Sequence, residues 1–246
     1  MRPISLVMLA YNEADIIENT IREYYEEVIQ RIPDSEFIIA EDGSTDGTKE
    51  VLEGLKNEFP LRIVSGNERK GYTKAMHDSL KLAKNEIIFF SDSDGQHDPE
   101  DFWLLYHHID EFDIVSGQKS HRQDGWLRVF VSWSMNFILS SIFGVKLTDA
   151  NSGFKLIKKE VIDKLSDEEI SMRLASVEFV IRAINHGYSI KEVGVKHFER
   201  KYGPSRGIPT KSIPGFITET LSNLVKLKLE FMAQRNTAKN LIADKK

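Results

Sequence analysis

The strongest chemical signal in this sequence is a pair of aspartates, Asp92 and Asp94, which flank Ser93 directly after an apolar run. The amide of Gln96 follows two positions later. Carboxylate and amide oxygens are hard ligands that suit Mg²⁺ or Mn²⁺ better than zinc, and a cation held in this way commonly also binds substrate phosphates. The pattern predicts a metal–diphosphate site with Asp92, Asp94 and Gln96 as ligands, and a solvated acidic turn is the alternative. We interpret the next residue, His97, as a cap or packing residue.

Other sequence features narrow the class of substrate. The 246 residues contain no cysteine, which excludes disulfides, thiolate nucleophiles and thiolate metal sites. Neither a G-x-x-x-x-G-K-[ST] loop nor a G-x-G-x-x-G fingerprint is present, so an ATPase and a dinucleotide dehydrogenase lose their main support. A metal–diphosphate site without either loop indicates a nucleotide-diphosphate sugar or a related substrate.

The elements that must position these residues are strands alternating with helices. Apolar runs predict strands at 4–10, 37–41, 62–65, 86–91 and 113–116, and helical patterns lie between them at about 14–31, 46–58, 71–84 and 99–110. This alternation predicts an α/β fold with a mostly parallel, Rossmann-like sheet that helices flank on both faces. Ligands of such sheets bind beyond the carboxyl ends of the strands.

Carboxylate-bearing loops follow three of these strands. Glu13 comes after the first strand, Asp42 after the second, and Asp92 with Asp94 after the fourth. Turn and cap chemistry explains each loop taken alone. Because the carboxyl ends of parallel strands share one edge of the sheet, all three together predict one site there.

Six segments in order resemble family 2 glycosyltransferases of the GT-A fold: AYNEADIIENTI, EDGSTDGT, SDSDGQHDP, TDANSGFKL, VEFVIRAINHGYSIKEV and RKYGPSR. They are most similar to the dolichyl- or polyprenyl-phosphate sugar synthases, a group that includes the dolichol-phosphate mannose synthases. The likeness runs over about 4–206. It implies an inverting, metal-dependent enzyme that moves a sugar from a nucleotide-diphosphate sugar, GDP-mannose or a UDP-sugar, to a polyprenyl or dolichyl phosphate.

The resemblance also implies roles for residues on the donor side. Ala10, Tyr11 and Glu13 match the segment that holds the nucleoside, and Asp42 matches an aspartate that contacts the nucleotide. The segment from Asp92 to Gln96 matches the metal and diphosphate group, with Ser93 as a substrate contact and Asp94 as a catalytic residue.

On the acceptor side the resemblance implies a set of basic contacts. Arg128 and Ser132 fall where the family places contacts to the acceptor phosphate. Arg200 and Arg206 match an R-x-x-G-x-S-K string in which Arg206 replaces the lysine, and Lys119 stands in the place of a family arginine. Such swaps keep the positive charge but change the donor geometry.

The nature of the acceptor decides whether a base is needed. A phosphate acceptor is already anionic and needs only positioning, which arginines supply through charge-assisted contacts. A glycan hydroxyl would need a carboxylate base. Asp149 is the first candidate, with capping of a turn as its alternative, and Glu178 is the second, with a structural ion pair to Arg182 as its alternative. The alternative to an enzyme is a non-catalytic module that binds nucleotide sugars.

Charge and hydropathy indicate contact with an anionic surface. Residues 191–246 carry 12 basic and 5 acidic side chains, whereas the remaining residues carry 21 and 33. Two amphipathic helices are predicted near 126–143 and 212–241, each either interfacial or packed against the domain or a partner subunit. No stretch reaches the roughly 18 uninterrupted apolar residues of a membrane span.

We therefore expect a glycosyltransferase domain at 1–211, a helical tail at 212–246, and peripheral binding at the cytoplasmic face of a membrane. A membrane-protein or homo-oligomeric partner is also open, and no nucleic acid is expected.

Overall fold

The computed structural model describes residues 1–66, 68–120, 126–170, 172–200 and 213–243, with the backbone alone at 126–133, 213–214 and 237–243. The described strands are β1 Ile4–Ala10, β2 Glu36–Glu41, β3 Leu61–Ser65, β4 Ile87–Asp92, β5 Ile114–Ser120, β6 Phe154–Lys158 and β7 Ile190–Lys196. The described helices are α1 Ile17–Glu27, α2 Thr48–Leu55, α3 Tyr72–Leu80, α4 Phe102–Tyr106, α5 Trp126–Phe143, α6 Lys159–Leu165, α7 Ala175–Asn185 and α8 Ile213–Ala243.

The seven strands form one sheet in the order β3-β2-β1-β4-β6-β5-β7. β6 runs antiparallel to β4 and β5, whereas the other neighbours pair in parallel. The predicted mostly parallel α/β sheet is confirmed. Its five predicted strands are present, the first with the predicted bounds and the other four with shifted ends, while β6 and β7 were not predicted. Lys155 in β6 and Glu192 in β7 interrupt the apolar runs by which the other strands were found.

The sheet is covered on both faces, as the apolar strands predict. Side chains that alternate along β1 enter two different clusters, with Leu6 on one face and Val7 on the other. One cluster includes residues of α1, α2 and α4, and the other includes residues of α3, α5, α6, α7 and α8. The interior strand β1 is therefore fully buried.

The helices before β5 are shorter than predicted. The helix expected at 99–110 begins with a 3-10 turn, Pro99–Asp101, and α4 ends at Tyr106. Its start follows the predicted chemistry, because the carboxylate of Asp98 accepts the N–H of Glu100 at 3.1 Å and Pro99 occupies the first turn.

The two predicted amphipathic helices are present as α5 and α8, and both pack against the domain. Leu139 of α5 is buried, as are Leu224, Leu227 and Phe231 of α8. Packing on the domain is therefore the observed role of these faces. In the described part of the chain no helix is both long and apolar enough to cross a membrane. The boundary between a domain at 1–211 and a tail at 212–246 stays a prediction.

Candidate active site

The loops after β1, β2 and β4 are joined by hydrogen bonds. The backbone N–H of Asn12 donates to Oγ of Ser44 at 2.9 Å, and the Asn12 side-chain oxygen accepts the N–H of Thr45 at 2.8 Å. The hydroxyl of Thr20 in α1 donates to the carbonyl of Ser93 at 3.4 Å. The three carboxylate-bearing loops therefore meet at one edge of the sheet, as the strand pattern predicts.

A cavity of about 320 Å³ opens at this edge, and we call it the first cavity. The aromatic ring of Tyr11 lies on its wall with the guanidinium of Arg69 at 4.0 Å from the ring centroid, within the range of a cation–π contact. The sequence predictions that line this cavity are Ala10, Tyr11, Glu13, Asp42, Asp92, Ser93, Asp94 and Arg200.

Asp42 holds the loop that precedes α3. Its two carboxylate oxygens accept the backbone N–H groups of Lys70, at 2.7 Å, and Gly71, at 2.9 Å. The loop runs so close that a Cβ on Gly43 would lie 2.7 Å from the backbone nitrogen of Arg69, and Gly43 also has a φ of +73°. The loop can approach only because residue 43 is glycine, and this approach brings Arg69 and Tyr72 to the first cavity.

Asp92 and Asp94 lie at the carboxyl end of β4. Burial and the negative charge of Asp94 raise the pKa of Asp92 to about 7. The hydroxyl of Tyr72 donates to Asp92 Oδ1 at 3.2 Å. On the other side, a Cβ on Gly153 would lie only 1.9 Å from Asp92 Oδ2, so the glycine leaves the space that this carboxylate fills. The negative charges of the two carboxylates repel each other, and a divalent cation bound to both would stabilise them.

A second cavity of about 250 Å³ adjoins the first. It shares Tyr72, Asp92 and Asp94 with the first cavity, so the two spaces meet at the carboxylate pair. The other residues that line it are Gln96, His97, Lys119, Asn151, Gly153, Arg173 and His197.

The segment after β7 is fixed to the loop that carries the aspartates. The amide nitrogen of Gln96 donates to the carbonyl of Phe198 at 2.9 Å, and the N–H of Phe198 donates to the carbonyl of Gln96 at 2.8 Å. Arg200 then reaches back to the carboxylate of Glu13, at 2.6 and 2.7 Å, and lies 3.7 Å from Asp94. Residues from the first and last thirds of the chain thus meet at the carboxylate pair.

The sequence profile of glycosyl transferase family 2 matches residues 5–166, which include β1 to β6 and both aspartates. The chain belongs to glycosyl transferase family 2. The resemblance noted in the sequence is thereby confirmed.

Two curated relatives of the chain are named as enzymes that act on polyprenyl phosphates. The chain is 27% identical to an undecaprenyl-phosphate 4-deoxy-4-formamido-L-arabinose transferase of Pseudomonas fluorescens, over 87% of this chain and 64% of that protein. It is 31% identical to a dodecaprenyl-phosphate galacturonate synthase of Rhizobium johnstonii, over 82% of this chain and 61% of that protein. The matched region therefore spans slightly under two thirds of each of these relatives.

Solved structures share the GT-A glycosyltransferase fold. Glucosyl-3-phosphoglycerate synthase from Mycobacterium tuberculosis, in complex with Mn²⁺, UDP and glucosyl-3-phosphoglycerate, superposes with a TM-score of 0.72 at 20% identity, over 92% of this chain and 79% of that one. The mannosyltransferase PcManGT from Pyrobaculum calidifontis, in complex with GDP-Man and Mn²⁺, gives 0.68 at 20% identity, over 92% and 65%. The predicted GT-A fold is confirmed.

Beside the second cavity of this family 2 chain lies a group of buried polar residues. Asp149 accepts the backbone N–H of Lys119 at 3.3 Å, and its own N–H donates to Glu192 at 2.7 Å. Asp149 is not among the described residues that line either cavity, and these contacts favour its structural alternative. Burial lowers the pKa of the neighbouring Lys155 to about 8, although the charges of Asp149 and Asp92 act in the opposite direction.

Glu178 takes the structural alternative that the sequence left open. It lies on the buried helix α7, where its carboxylate accepts from Arg182 at 2.9 Å and from the backbone N–H of Met172 at 2.7 Å. Arg182 also pairs with Glu168 at 3.0 Å and with Glu230 of α8 at 2.9 Å. Glu178 is not among the described lining residues of the two cavities, so its position gives the role of base no support.

His97 packs as the sequence indicates. Its ring stacks on Phe154 with the centroids 4.9 Å apart, and burial, with the nearby charges of His197 and Lys119, keeps its pKa well below the usual range.

Three of the predicted acceptor contacts lie outside what the structure describes. Arg128 and Ser132 fall on α5, where the backbone alone is described, and Arg206 lies in 201–212, outside the described residues. Their roles stay predictions.

Sequence reasoning missed Arg69, Tyr72 and Arg173, which line the cavities. The sequence pattern does indicate Arg69 and Tyr72, because the loop after β3 begins at the same edge of the sheet as the loops after β1, β2 and β4. No local pattern marks Arg173, because it precedes α7 and reaches the cavity through the packing of that helix.

Proposed function

We propose that this chain is an inverting, divalent-metal-dependent glycosyltransferase that moves a sugar from a nucleotide-diphosphate sugar to a polyprenyl or dolichyl phosphate. The observation that carries the proposal is the pair of cavities that meet at Asp92 and Asp94. Sugar transfer requires that the diphosphate of the donor is held in place and that the acceptor lies within reach of the sugar. The names of the polyprenyl-phosphate relatives support the choice of acceptor.

The first cavity fits the nucleotide of the donor. Tyr11 and Arg69 present an aromatic ring and a guanidinium to it, groups that bind a flat base and an anionic diphosphate. Asp42 fixes the loop that carries Arg69. GDP-mannose and UDP-sugars are the donors that we expect.

Asp92 and Asp94 are the residues that would hold Mg²⁺ or Mn²⁺, with Gln96 beside them. Among the described residues no group of three or more histidine, aspartate or glutamate side chains is arranged to hold a metal ion, so phosphate oxygens and water would complete the shell. When bound, the cation would offset the negative charge that develops on the leaving diphosphate. The raised pKa of Asp92 supports this assignment, because it means that the negative charge of Asp92 is unfavourable in the chain alone. A bound cation would favour the ionised carboxylate.

The second cavity fits the phosphate end of the acceptor. A phosphate oxygen is anionic near neutral pH and attacks the sugar without a base, which agrees with the position of Glu178 away from both cavities. Lys119 would attract the acceptor phosphate. Arg200, which the resemblance assigns to the acceptor side, lines the first cavity instead, and with Glu13 holding it near Asp94 it would face the diphosphate side. These groups position the two anions; they do not transfer a proton.

A stripe on α8 supports peripheral membrane contact. Val225, Leu229 and Met232 are 52%, 60% and 51% exposed, and their spacing of four and three residues places them on one helix face. The exposed Lys226 adds positive charge next to this stripe. An apolar stripe beside basic residues is the pattern of a helix that lies on an anionic bilayer surface, here the cytoplasmic face.

The activity is tested with the purified chain, Mn²⁺ and a panel of GDP- and UDP-sugars, with farnesyl phosphate and a soluble glycan as the two acceptors. We expect sugar transfer to farnesyl phosphate with at least one donor, and none after chelation of the metal. Transfer to the glycan alone would replace this proposal by the hydroxyl-acceptor hypothesis. Tight donor binding without transfer or hydrolysis would indicate the non-catalytic binding module.

Membrane contact is tested by flotation with vesicles that contain anionic lipid. The chain should float at low salt and remain at the bottom of the gradient at high salt, because the electrostatic part of the attraction is screened. Leu229→Gln should weaken flotation. A chain that never floats at low salt would contradict the membrane part of the proposal.

A further inference from the structure

Arg173 is a basic side chain at the second cavity that neither the sequence pattern nor the family resemblance assigns a role. It lines this cavity together with Lys119, Asp92 and Asp94. An acceptor phosphate that approaches the two aspartates needs cations near it, because the carboxylates would otherwise repel it. Arginine supplies a planar fork of donors that matches phosphate oxygens.

The backbone next to Arg173 is fixed from two sides. The N–H of Met172 donates to the carboxylate of Glu178 at 2.7 Å, and the carbonyl of Met172 accepts from the hydroxyl of Thr73 at 3.1 Å. Glu178 is in turn held by Arg182 within a buried ion-pair cluster. The start of the Arg173 side chain is therefore anchored to α3 and α7, and its position is set before any ligand arrives.

The guanidinium of Arg173, in contrast, is held weakly. Its ion-pair partner in the structure is Glu219 of α8, at 3.5 Å, and the two side chains are 66% and 47% exposed. Exposed ion pairs of this kind contribute little to stability, so a phosphate with two negative charges can replace the Glu219 carboxylate. Arg182, by comparison, is 7% exposed and pairs with three carboxylates, an arrangement that does not exchange.

We propose that Arg173 binds the phosphate of the acceptor and that Glu219 competes with this phosphate for the guanidinium. The inference rests on the proposed function and adds a binding residue to its acceptor side. Arg173 acts on affinity for a phosphomonoester, and the donor binds in the first cavity, which Arg173 does not line. Loss of the guanidinium therefore affects the acceptor alone.

The test measures KM for farnesyl phosphate and for the best nucleotide sugar separately, in four variants. We expect Arg173→Gln to raise KM for farnesyl phosphate roughly 10-fold or more, the effect of losing a charge-assisted hydrogen bond. Arg173→Lys should lie between this variant and wild type. Glu219→Gln should lower KM for farnesyl phosphate, because the competing carboxylate is gone. The control is Arg31→Gln, which removes an exposed arginine that pairs with Glu27 and is not among the described residues that line either cavity.

Thermal unfolding of each variant separates binding from a structural role. The inference is overturned if Arg173→Gln and the Arg31→Gln control have the same KM for farnesyl phosphate. It is also overturned if Arg173→Gln raises both KM values equally and lowers the Tm. In those two cases wild type still transfers sugar to farnesyl phosphate, so the proposed function stands. If wild type hydrolyses the donor but never uses farnesyl phosphate, the proposed function fails and the role of Arg173 fails with it.

Discussion

Gly153→Ala is a small change whose added methyl group meets the carboxylate of Asp92 first. The added Cβ would lie 1.9 Å from Oδ2, 2.5 Å from Cγ and 3.0 Å from Oδ1 of this side chain. Real Cβ atoms essentially never approach another heavy atom closer than 3.0 Å, so Oδ2 must move by at least 1.1 Å. The hydrogen bond from the backbone N–H of Asp92 to the carbonyl of Gly153, at 3.1 Å, does not need to break.

This displacement should affect activity far more than stability. A shift of about 1 Å in a group that positions reactants reduces rates by about 100-fold, which is the loss that we expect in sugar transfer. The free energy of unfolding should fall by less than about 3 kcal/mol, because the end of a side chain moves and the sheet does not. The affinity for Mn²⁺ should fall together with the rate.

The assay compares nucleotide release, Mn²⁺ affinity and urea unfolding with those of Gly54→Ala. A Cβ at Gly54 in α2 meets no atom within 4 Å, so this control adds the same methyl group and should stabilise the helix by about 0.5–1 kcal/mol. In an Asp92→Ala background, Gly153→Ala should lose its cost to stability, because the two groups no longer meet. Wild-type transfer and Mn²⁺ affinity in Gly153→Ala would refute the reasoning.

Asp94→Ala should abolish sugar transfer without changing the circular dichroism spectrum, and full activity would remove Asp94 from the reaction. Arg182→Met takes the cation away from the buried carboxylate of Glu178 and should reduce the free energy of unfolding in urea by about 3–5 kcal/mol, whereas a loss like that of an exposed pair would contradict the assigned burial. Lys155 has a pKa lowered from 10.5 to about 8 in the folded chain, so its burial penalty is fully present below about pH 8 and disappears as the pH rises towards 10.5. The stability of wild type relative to Lys155→Met should therefore increase by about 3 kcal/mol across this range, and a constant difference in urea unfolding would show that Lys155 is not buried as a charge.

The donor side of the site could be predicted from the sequence because its signals are local. Asp42, Asp92 and Asp94 each follow an apolar strand, and parallel strands bring their carboxyl ends to one edge of the sheet. The same rule covers Arg69 and Tyr72, which follow the parallel strand β3 and line the first cavity. The order of the strands and the antiparallel β6 depend on long-range pairing, which no local pattern encodes.

Residues with two possible roles could not be assigned in this way. Glu178 is a candidate base or a structural ion pair when only its neighbours in sequence are known. The structure favours the ion pair, because Glu178 accepts from Arg182 and from the backbone N–H of Met172, and Arg182 also pairs with Glu230, which lies 52 positions after Glu178 on α8. Arg173 reaches the second cavity for a similar reason, since its backbone is anchored by side chains of α3 and α7.

The α/β fold, the family and the carboxylate pair could be predicted from the sequence, because the periodicity of apolar residues and the chemistry of strand-end loops depend on a few neighbouring positions. Packing between distant elements determines that Gly153 leaves room for Asp92, that Arg200 returns to Glu13, and that Arg182 pairs with Glu230 as well as with Glu178. Each of these contacts joins residues whose distance and direction are set by packing, and the spacing of residues along the chain does not specify where a side chain from another element will lie.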